Sequence, residues 1–541
     1  MPTLNWIGKE KVVNHHLEVP FRTLERQYTF AAEGQDDGGN MIIHGDNLDA
    51  LKALLPMYEG KVKCVYIDPP YNTGEEKWIY NDNVNDPHIK AWIGEVVGHE
   101  GDDLSRHDKW LCMMYPRLML IKKLMSEDGI IAVSIDDNEV FYLGCLMDDI
   151  FGRKNRLACA PWLSEPSGGK EKTKLRNGHE YIIIYTNGSI AGLSRDEKST
   201  GKLDLKDEQG KYRKGRELRK WGGTSARSDR PNQWFGVTAP DGTVVFPYKN
   251  DGTEGHWRWS TKNKGMQEIL KNPSFAHWEK CPYDEGVTVN GETERWVPFE
   301  KIRDAKKSIG WGTWLDKYGY NSDATAELKA IFGNKPFETP KPMQLISWLV
   351  SLYDSNEDEV IVLDSFAGSG TTAHAVLNLN AQDDGNRKFI LVEMMDYAES
   401  ITAERVKRVI HGYGEGEKAV GGINGGFTFY ELGEPLLMDG LLNPHVAEEK
   451  IRAYVYYTET REAIPARKAD EKYLLGVHND FAYYFYYEPD RVTTLNHSFL
   501  RTIKTQSQGY LIYADVNTLS AEEMERYRIS FKKIPRDIAN L

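Results

Sequence analysis

Apolar residues fall along this chain in short dense runs and in helically spaced stripes, and the two alternate. Met41–Ile43 reads as a short strand, Leu48–Tyr58 as a helix and Lys63–Ile67 as a buried strand. Between Asp108 and Met125, Leu111, Met114, Leu118, Ile121 and Leu124 trace one face of an amphipathic helix. A strand over Ile130–Ile135, a helix over Glu139–Phe151 and a strand over Tyr181–Tyr185 follow. Strands alternating with helices predict a parallel α/β sheet.

The alternation stops near Thr186. From there to Asn334 the chain is rich in Gly, Lys, Arg and Trp, and eight of its 14 tryptophans lie between Trp221 and Trp314. The pattern then resumes with a helix at Met343–Tyr353, a strand at Val360–Leu363, a helix at Thr371–Leu379 and a strand at Lys388–Val392. One sheet domain interrupted by an insertion accounts for this. The expected organisation is an arm over 1–40, sheet halves over 41–186 and 335–425, an inserted module over 187–334 and a smaller α+β domain over 426–541. Gly34–Gly39 closes the arm as a cluster of breakers.

Composition narrows the class. The chain has 541 residues, too many for one compact domain, and 40% are hydrophobic. No stretch approaches the ~18 uncharged apolar residues that span a bilayer. Met1–Glu10 has no apolar signal core, and the five cysteines show no Cys-x-x-Cys pairing, so a cytoplasmic protein without a bound metal is expected. The net charge of −13 argues against nucleic acid until the charge is located. Residues 151–230 carry 19 Lys and Arg against 10 Asp and Glu, an electrostatic footprint or a solvated loop.

Two motifs carry chemistry. Asp68-Pro69-Pro70-Tyr71 closes the strand that ends at Ile67. An exocyclic amino nitrogen is a poor nucleophile because its lone pair is delocalised into the ring. The Asp68 carboxylate and the Pro69 carbonyl can accept its hydrogens, two prolines restrict the backbone between them, and Tyr71 offers a ring face to an unstacked base. The other reading is an Asp-Pro turn. In the second motif, Asp364 ends a strand, Phe366, Gly368 and Gly370 form a turn, and Thr371 opens a helix. The glycines admit a close-lying ligand. No Gly-x-x-x-x-Gly-Lys-Ser/Thr loop is present, and Ala373 replaces the third glycine of a dinucleotide fingerprint. Glu393, at the end of the next strand, can accept hydrogen bonds from a ribose.

This pair of motifs resembles the signature of amino-directed DNA methyltransferases, and its order along the chain resembles their β group. His44–Leu51, Asp68–Gly74, Trp110–Leu124, Gly129–Glu139, His179–Tyr185, Lys341-Pro342 and Asp364–Thr372 are similar to the adenine-specific Mod subunits of type III restriction-modification systems. The resemblance implies a Rossmann-like, circularly permuted sheet that binds S-adenosylmethionine, with the insertion as target-recognition domain. It implies that Asp68, Pro69, Pro70 and Tyr71 hold a flipped base. Asp364, Phe366, Gly368, Gly370 and Thr371 would cradle the cofactor, with Glu393 on its ribose, Asp46 near its adenine and Lys341 near its methionine end. Asp46 also reads as a helix cap, and Asp136–Glu139 reads as a capping box outside the site.

No cysteine follows a proline, which excludes the usual nucleophile for C5 methylation of cytosine. Asp at position 68 favours adenine N6 by resemblance; cytosine N4 and a catalytically idle DNA-recognition subunit are the alternatives. Double-stranded DNA is the expected substrate. Its candidate contacts are Lys211, Arg213, Lys214, Arg216, Arg219 and Lys220, with Trp257, Arg258 and Trp259, although the tryptophans also read as local core. Further partners implied are a second copy of the chain and an ATP-dependent restriction subunit. The aromatic run Phe481–Tyr487 is too dense for one strand face, and reads as a strand buried on two sides or as a docking surface for such a partner.

Overall fold

A computed structural model of the chain describes residues 4–73, 103–168, 175–353, 359–438 and 440–536. Gly74 and the lysines at 170, 172 and 174, which belong to segments named above, lie outside the described residues. The chain forms two compact units, Met1–Ser194 with Gly312–Leu541, and Arg195–Trp311.

The first unit is built on nine strands: β1 (Arg22–Ala31), β2 (Met41–His44), β3 (Val62–Ile67), β4 (Met125–Ile135), β5 (Arg156–Leu163), β6 (His179–Thr186), β7 (Val360–Asp364), β8 (Arg387–Glu393) and β9 (Gly426–Pro435). Their order is β1-β9-β2-β8-β7-β3-β4-β6-β5. The six from β9 to β4 run parallel, and the margins β1, β6 and β5 pair antiparallel. The helices are α1 (Asn47–Tyr58), α2 (Asp103–Leu124), α3 (Val140–Met147), α4 (Asn321–Phe332), α5 (Met343–Ser351), α6 (Thr371–Asp383), α7 (Glu404–His411) and α8 (Glu448–Thr460).

The central strands read as unbroken apolar runs because both of their faces are covered: every residue of β7 is buried, and all of β3 except Lys63. Strands β2 and β3 are consecutive in the chain, yet β8 and β7 lie between them in the sheet. The carboxyl ends of β2, β8, β7 and β3 therefore stand side by side, where open α/β sheets place their ligands. These ends carry His44, Glu393, Asp364 and Ile67-Asp68.

The sheet is wider than the sequence pattern predicts. The expected arm contributes β1, and β9 pairs with both β1 and β2, so the sheet runs past the boundary set at 425/426. Edge strands are half-exposed and polar, as Arg22–Ala31 is, and lack the apolar run that marks a central strand. The insertion is also shorter than 187–334. Leu315 bonds the β5 backbone at Pro161 and Leu163, and Glu327 on α4 meets Arg405 on α7 at 2.7 Å, so residues 312–334 pack in the first unit.

Beyond β9, strands Leu474–His478, Phe481–Phe485, Gly509–Ala514 and Ile529–Lys533 form a second sheet. Phe485 and Tyr487 pack against Ile451 and Val455 of α8, whereas Tyr484 packs against Phe499 and Ile512 on the other side. The aromatic run is thus a strand that packs on two faces over most of its length, with Phe481 exposed at its start.

In the second unit, Gly210–Glu217 pairs with Glu294–Ile302 and Leu205–Asp207, and Ala276–Pro282 completes the antiparallel sheet. A helix over Lys264–Lys271, capped by Asn263, lays Met266 and Ile269 on a core with Leu218, Val237 and Trp257. No helix among the described residues is long and apolar enough to cross a membrane.

Candidate active site

Asp68 leaves the buried end of β3 and is held from two directions. Lys341 Nζ donates to its Oδ2 at 2.9 Å, and Tyr71 Oη lies 2.9 Å from its Oδ1. Glu180, the second residue of β6, joins them: its Oε2 is 2.9 Å from Tyr71 Oη and 3.5 Å from Lys341 Nζ. The Pro70 carbonyl is taken by Trp110 Nε1 at 2.7 Å, from a fully buried ring on α2, whereas Pro69 lines the open cavity. Asn72 follows with a left-handed φ of 61°. Its side chain is fully buried and donates to Glu139 Oε1, which also lies 2.6 Å from His107 Nδ1. Prolines, an indole and a buried carboxylate thus fix the tetrapeptide from both ends.

On the neighbouring strand β7, Asp364 accepts from Phe366 N at 3.1 Å and from the Thr372 hydroxyl, which closes the turn onto the start of α6. Gly368 has φ 51°, and a Cβ there would stand 3.2 Å from the Phe337 ring. Glu393 Oε2 accepts from Gly368 N at 2.8 Å and Oε1 from Met395 N at 3.0 Å. Tyr397 and Phe337 meet edge to face, with centroids 5.6 Å apart, beside this turn. Arg405, fully buried on α7, donates to Thr371 Oγ1 at 2.8 Å and Ser369 Oγ at 3.1 Å, so the turn is clamped from below.

Both motifs open into one cavity of about 540 Å³. Asp68, Pro69, Pro70, Tyr71, Lys341, Asp364, Phe366, Gly368, Thr371 and Glu393 line it. Two of the expected residues do not. Asp46 caps α1, accepting from Leu48 N at 2.8 Å, with Arg117 3.5 Å away. Gly370, at φ 76°, faces Thr402, whose carbonyl would be 2.9 Å from a Cβ. The Lys341 ammonium sits on the Asp68 side of the cavity, and only its carbonyl reaches the turn, through Thr371 Oγ1 at 3.3 Å.

Burial shapes the charges. It pushes the Asp364 carboxyl up to about 7 against the pull of the Thr372 and Phe366 hydrogen bonds. It raises Glu393 and Glu139 in the same sense. Lys341 behaves oppositely: burial opposes its charge, but Asp68 and Glu180 more than offset this, and it is held above its ordinary value.

The capping box expected at Asp136–Glu139 does not form. Asp136 accepts from Asn138 N at 2.9 Å, and the Glu139 side chain turns inward to Asn72 and His107 instead of capping α3. Glu180, Phe337, Tyr397, Asn321 and Arg405 were not singled out by sequence. Glu180 had a signal, a lone carboxylate opening an apolar strand; Phe337 had none.

In the second unit, a groove of about 860 Å³ is lined by Arg213, Arg216, Trp259, Lys301, Lys306 and Lys307, with Glu268, Glu300 and Asp304 among them. Lys211 is exposed, and Lys214 pairs with Glu279 at 2.8 Å. Lys220 is half-buried, and Arg258 donates to the Glu217 carbonyl at 2.8 Å. Arg219 and Trp257 are withdrawn from the surface. Arg219 is 3% exposed and bonded to Glu217 and Asn250, and Trp257 is 1% exposed with its indole N–H on the Phe235 carbonyl. Neither presents its polar atoms to a polyanion.

Comparison with known proteins adds the family. A family described as DNA methylase matches residues 62–404. The Type III restriction-modification enzyme EcoPI Mod subunit of Escherichia phage P1 is 34% identical over 72% of this chain and 63% of its own length. The Type II methyltransferase M.KpnI of Klebsiella pneumoniae is 33% identical over 66% of this chain and 81% of its own length. The EcoP15I Mod subunit of Escherichia coli is 30% identical over 76% and 66%. The chain thus spans slightly less than two thirds of either Mod subunit.

Proposed function

The chain belongs to the DNA methylase family, and from that premise we propose that it moves a methyl group from S-adenosylmethionine to the N6 amino group of an adenine swung out of double-stranded DNA. The observation that carries this reading is the meeting of the Asp68 tetrapeptide and the Gly368 turn in one cavity, on adjacent parallel strands.

The cavity suits the methyl donor. Beside the Gly368 turn, the Phe337 and Tyr397 rings line the cavity and offer an apolar surface against which a flat heterocycle could rest. Glu393, anchored by two backbone N–H groups, retains lone pairs for a ribose diol. S-adenosylmethionine supplies an electrophilic methyl on a sulfonium whose departure leaves a neutral thioether.

The protein's own residues make the amino nitrogen reactive. Asp68 and the Pro69 carbonyl would accept its two hydrogens and draw the lone pair out of the ring, an effect that grows as positive charge develops on nitrogen. Tyr71 would support the extruded base, and Trp110 and Asn72 keep the tetrapeptide in place. As the new C–N bond forms, the nitrogen loses one proton, and the Asp68 carboxylate is the acceptor placed beside it.

The basic groove of the second unit supports a DNA-binding role, with Arg213 and Lys307 suited to phosphate and with Arg216 and Lys306 able to exchange Glu300 and Glu197 for it. The identity to Mod subunits supports a place in a restriction-modification system, alongside a restriction subunit. DNA from cells expressing the chain, digested to nucleosides and analysed by mass spectrometry, tests the reaction. N6-methyladenine supports it; N4-methylcytosine alone, or no methylated base, overturns it.

A further inference from the structure

The target-base cluster holds a second carboxylate that the methyl-transfer account does not use. Glu180 Oε2 is 2.9 Å from Tyr71 Oη, and the same Tyr71 oxygen is 2.9 Å from Asp68 Oδ1. A phenol has one proton to give. If Tyr71 donates to Asp68, each Asp68 oxygen carries a hydrogen bond from within the protein, since Lys341 holds Oδ2, and Oδ1 is the weaker acceptor for it. If Tyr71 donates to Glu180, Oδ1 keeps both lone pairs and its full strength as an acceptor. Burial raises the Tyr71 phenol well above its ordinary value, so it stays protonated and must donate to one of the two.

Granted the methyl-transfer reading, on which this rests, we propose that Glu180 is a positioning residue: it accepts the Tyr71 hydrogen bond and so leaves Asp68 Oδ1 undivided as an acceptor for the target amino group. Lys341, 2.9 Å from Asp68 and 3.5 Å from Glu180, balances the two carboxylates and keeps them close. Glu180 acts through Tyr71 and needs no contact of its own with the base.

The test is single-turnover transfer from tritiated S-adenosylmethionine to unmethylated plasmid DNA by the full chain, with calorimetry of S-adenosylmethionine binding alongside. Glu180→Ala should lose about 10²-fold in rate, the cost of a misplaced reacting group, with cofactor affinity within about threefold. Glu180→Gln, whose amide oxygen still accepts the Tyr71 proton, should stay within about tenfold of the wild type. The deciding variant is Glu180→Ala with Tyr71→Phe. Once the hydroxyl is gone, no hydrogen bond from position 71 weakens Asp68 Oδ1 as an acceptor, so the double variant should be faster than Glu180→Ala alone. Single losses that multiply in the double variant would overturn the proposal, as would a Glu180→Ala enzyme at wild-type rate. If Glu180→Ala fails to bind cofactor, Glu180→Gln decides, and a 10²-fold loss there overturns it. A wild-type chain that transfers no methyl group would refute the methyl-transfer reading itself.

Discussion

The ammonium of Lys341 lies 2.9 Å from Oδ2 of Asp68, across 273 positions of sequence. Asp68 leaves the end of β3 and Lys341 precedes α5, so the contact joins a segment before the insertion to one after it. The carbonyl of the same residue accepts from Thr371 Oγ1 at 3.3 Å, so Lys341 ties the tetrapeptide to the helix that follows the glycine turn.

Gly368→Val should abolish S-adenosylmethionine binding in a folded protein. The residue sits at φ 51°, where a β-branched side chain is strained, and its Cβ would press on the Phe337 ring at 3.2 Å. Calorimetric titration with a circular dichroism control checks this; unchanged affinity would make the turn structural only.

How far the sequence reached depended on burial. Strands β3, β7 and β8 were legible because two covered faces demand unbroken apolar runs. Strand β1 was not, since its edge position mixes polar and apolar residues as a loop does, and β9 beside it is buried only over its first four residues, too short a run to stand out. The tetrapeptide and the turn were legible as local motifs. The Glu180–Tyr71 and Arg405–Thr371 contacts were not, because they join residues 109 and 34 positions apart with no local pattern to mark them. Trp257 and Trp259 share one sequence pattern, yet only the first lies in the core of its unit.

Asp364 gives the ligand-free protein a pH dependence. Burial opposes its charge and pushes the folded carboxyl up to about 7 from an ordinary 3.8. Between those values the folded chain holds a proton that the unfolded chain releases. The contribution is therefore fully present below the lower value and is lost as pH rises through the upper one, in total by about 4 kcal/mol. Asp364→Asn keeps an acceptor for Phe366 N and should flatten the melting temperature between about pH 5 and 7.5. An unchanged slope over that range would contradict the assignment.

Replacing Lys211, Arg213 and Arg216 with Gln should weaken DNA binding without altering the sequence methylated. Every cation removed from a phosphate should reduce the slope of log K against log salt by about 0.9. A change in the methylated sequence would make these residues base readers, and an unaltered slope would remove them from the interface.

A chain ending at Gly425 should fail to fold stably. It lacks β9, whose Phe427 and Phe429 are buried and whose backbone pairs with both β1 and β2. Thermal melting checks this; a cooperative transition at the full-length temperature would show the strand to be dispensable.

The central claim is that Asp68 acts on the target amino group. The most direct measurement is single-turnover transfer of radiolabelled methyl to unmethylated DNA by Asp68→Ala, with cofactor affinity measured on the same protein. An acceptor engaged mainly in the transition state predicts retained S-adenosylmethionine binding with transfer reduced by roughly three orders of magnitude or more. Transfer within about tenfold of the wild type would contradict it.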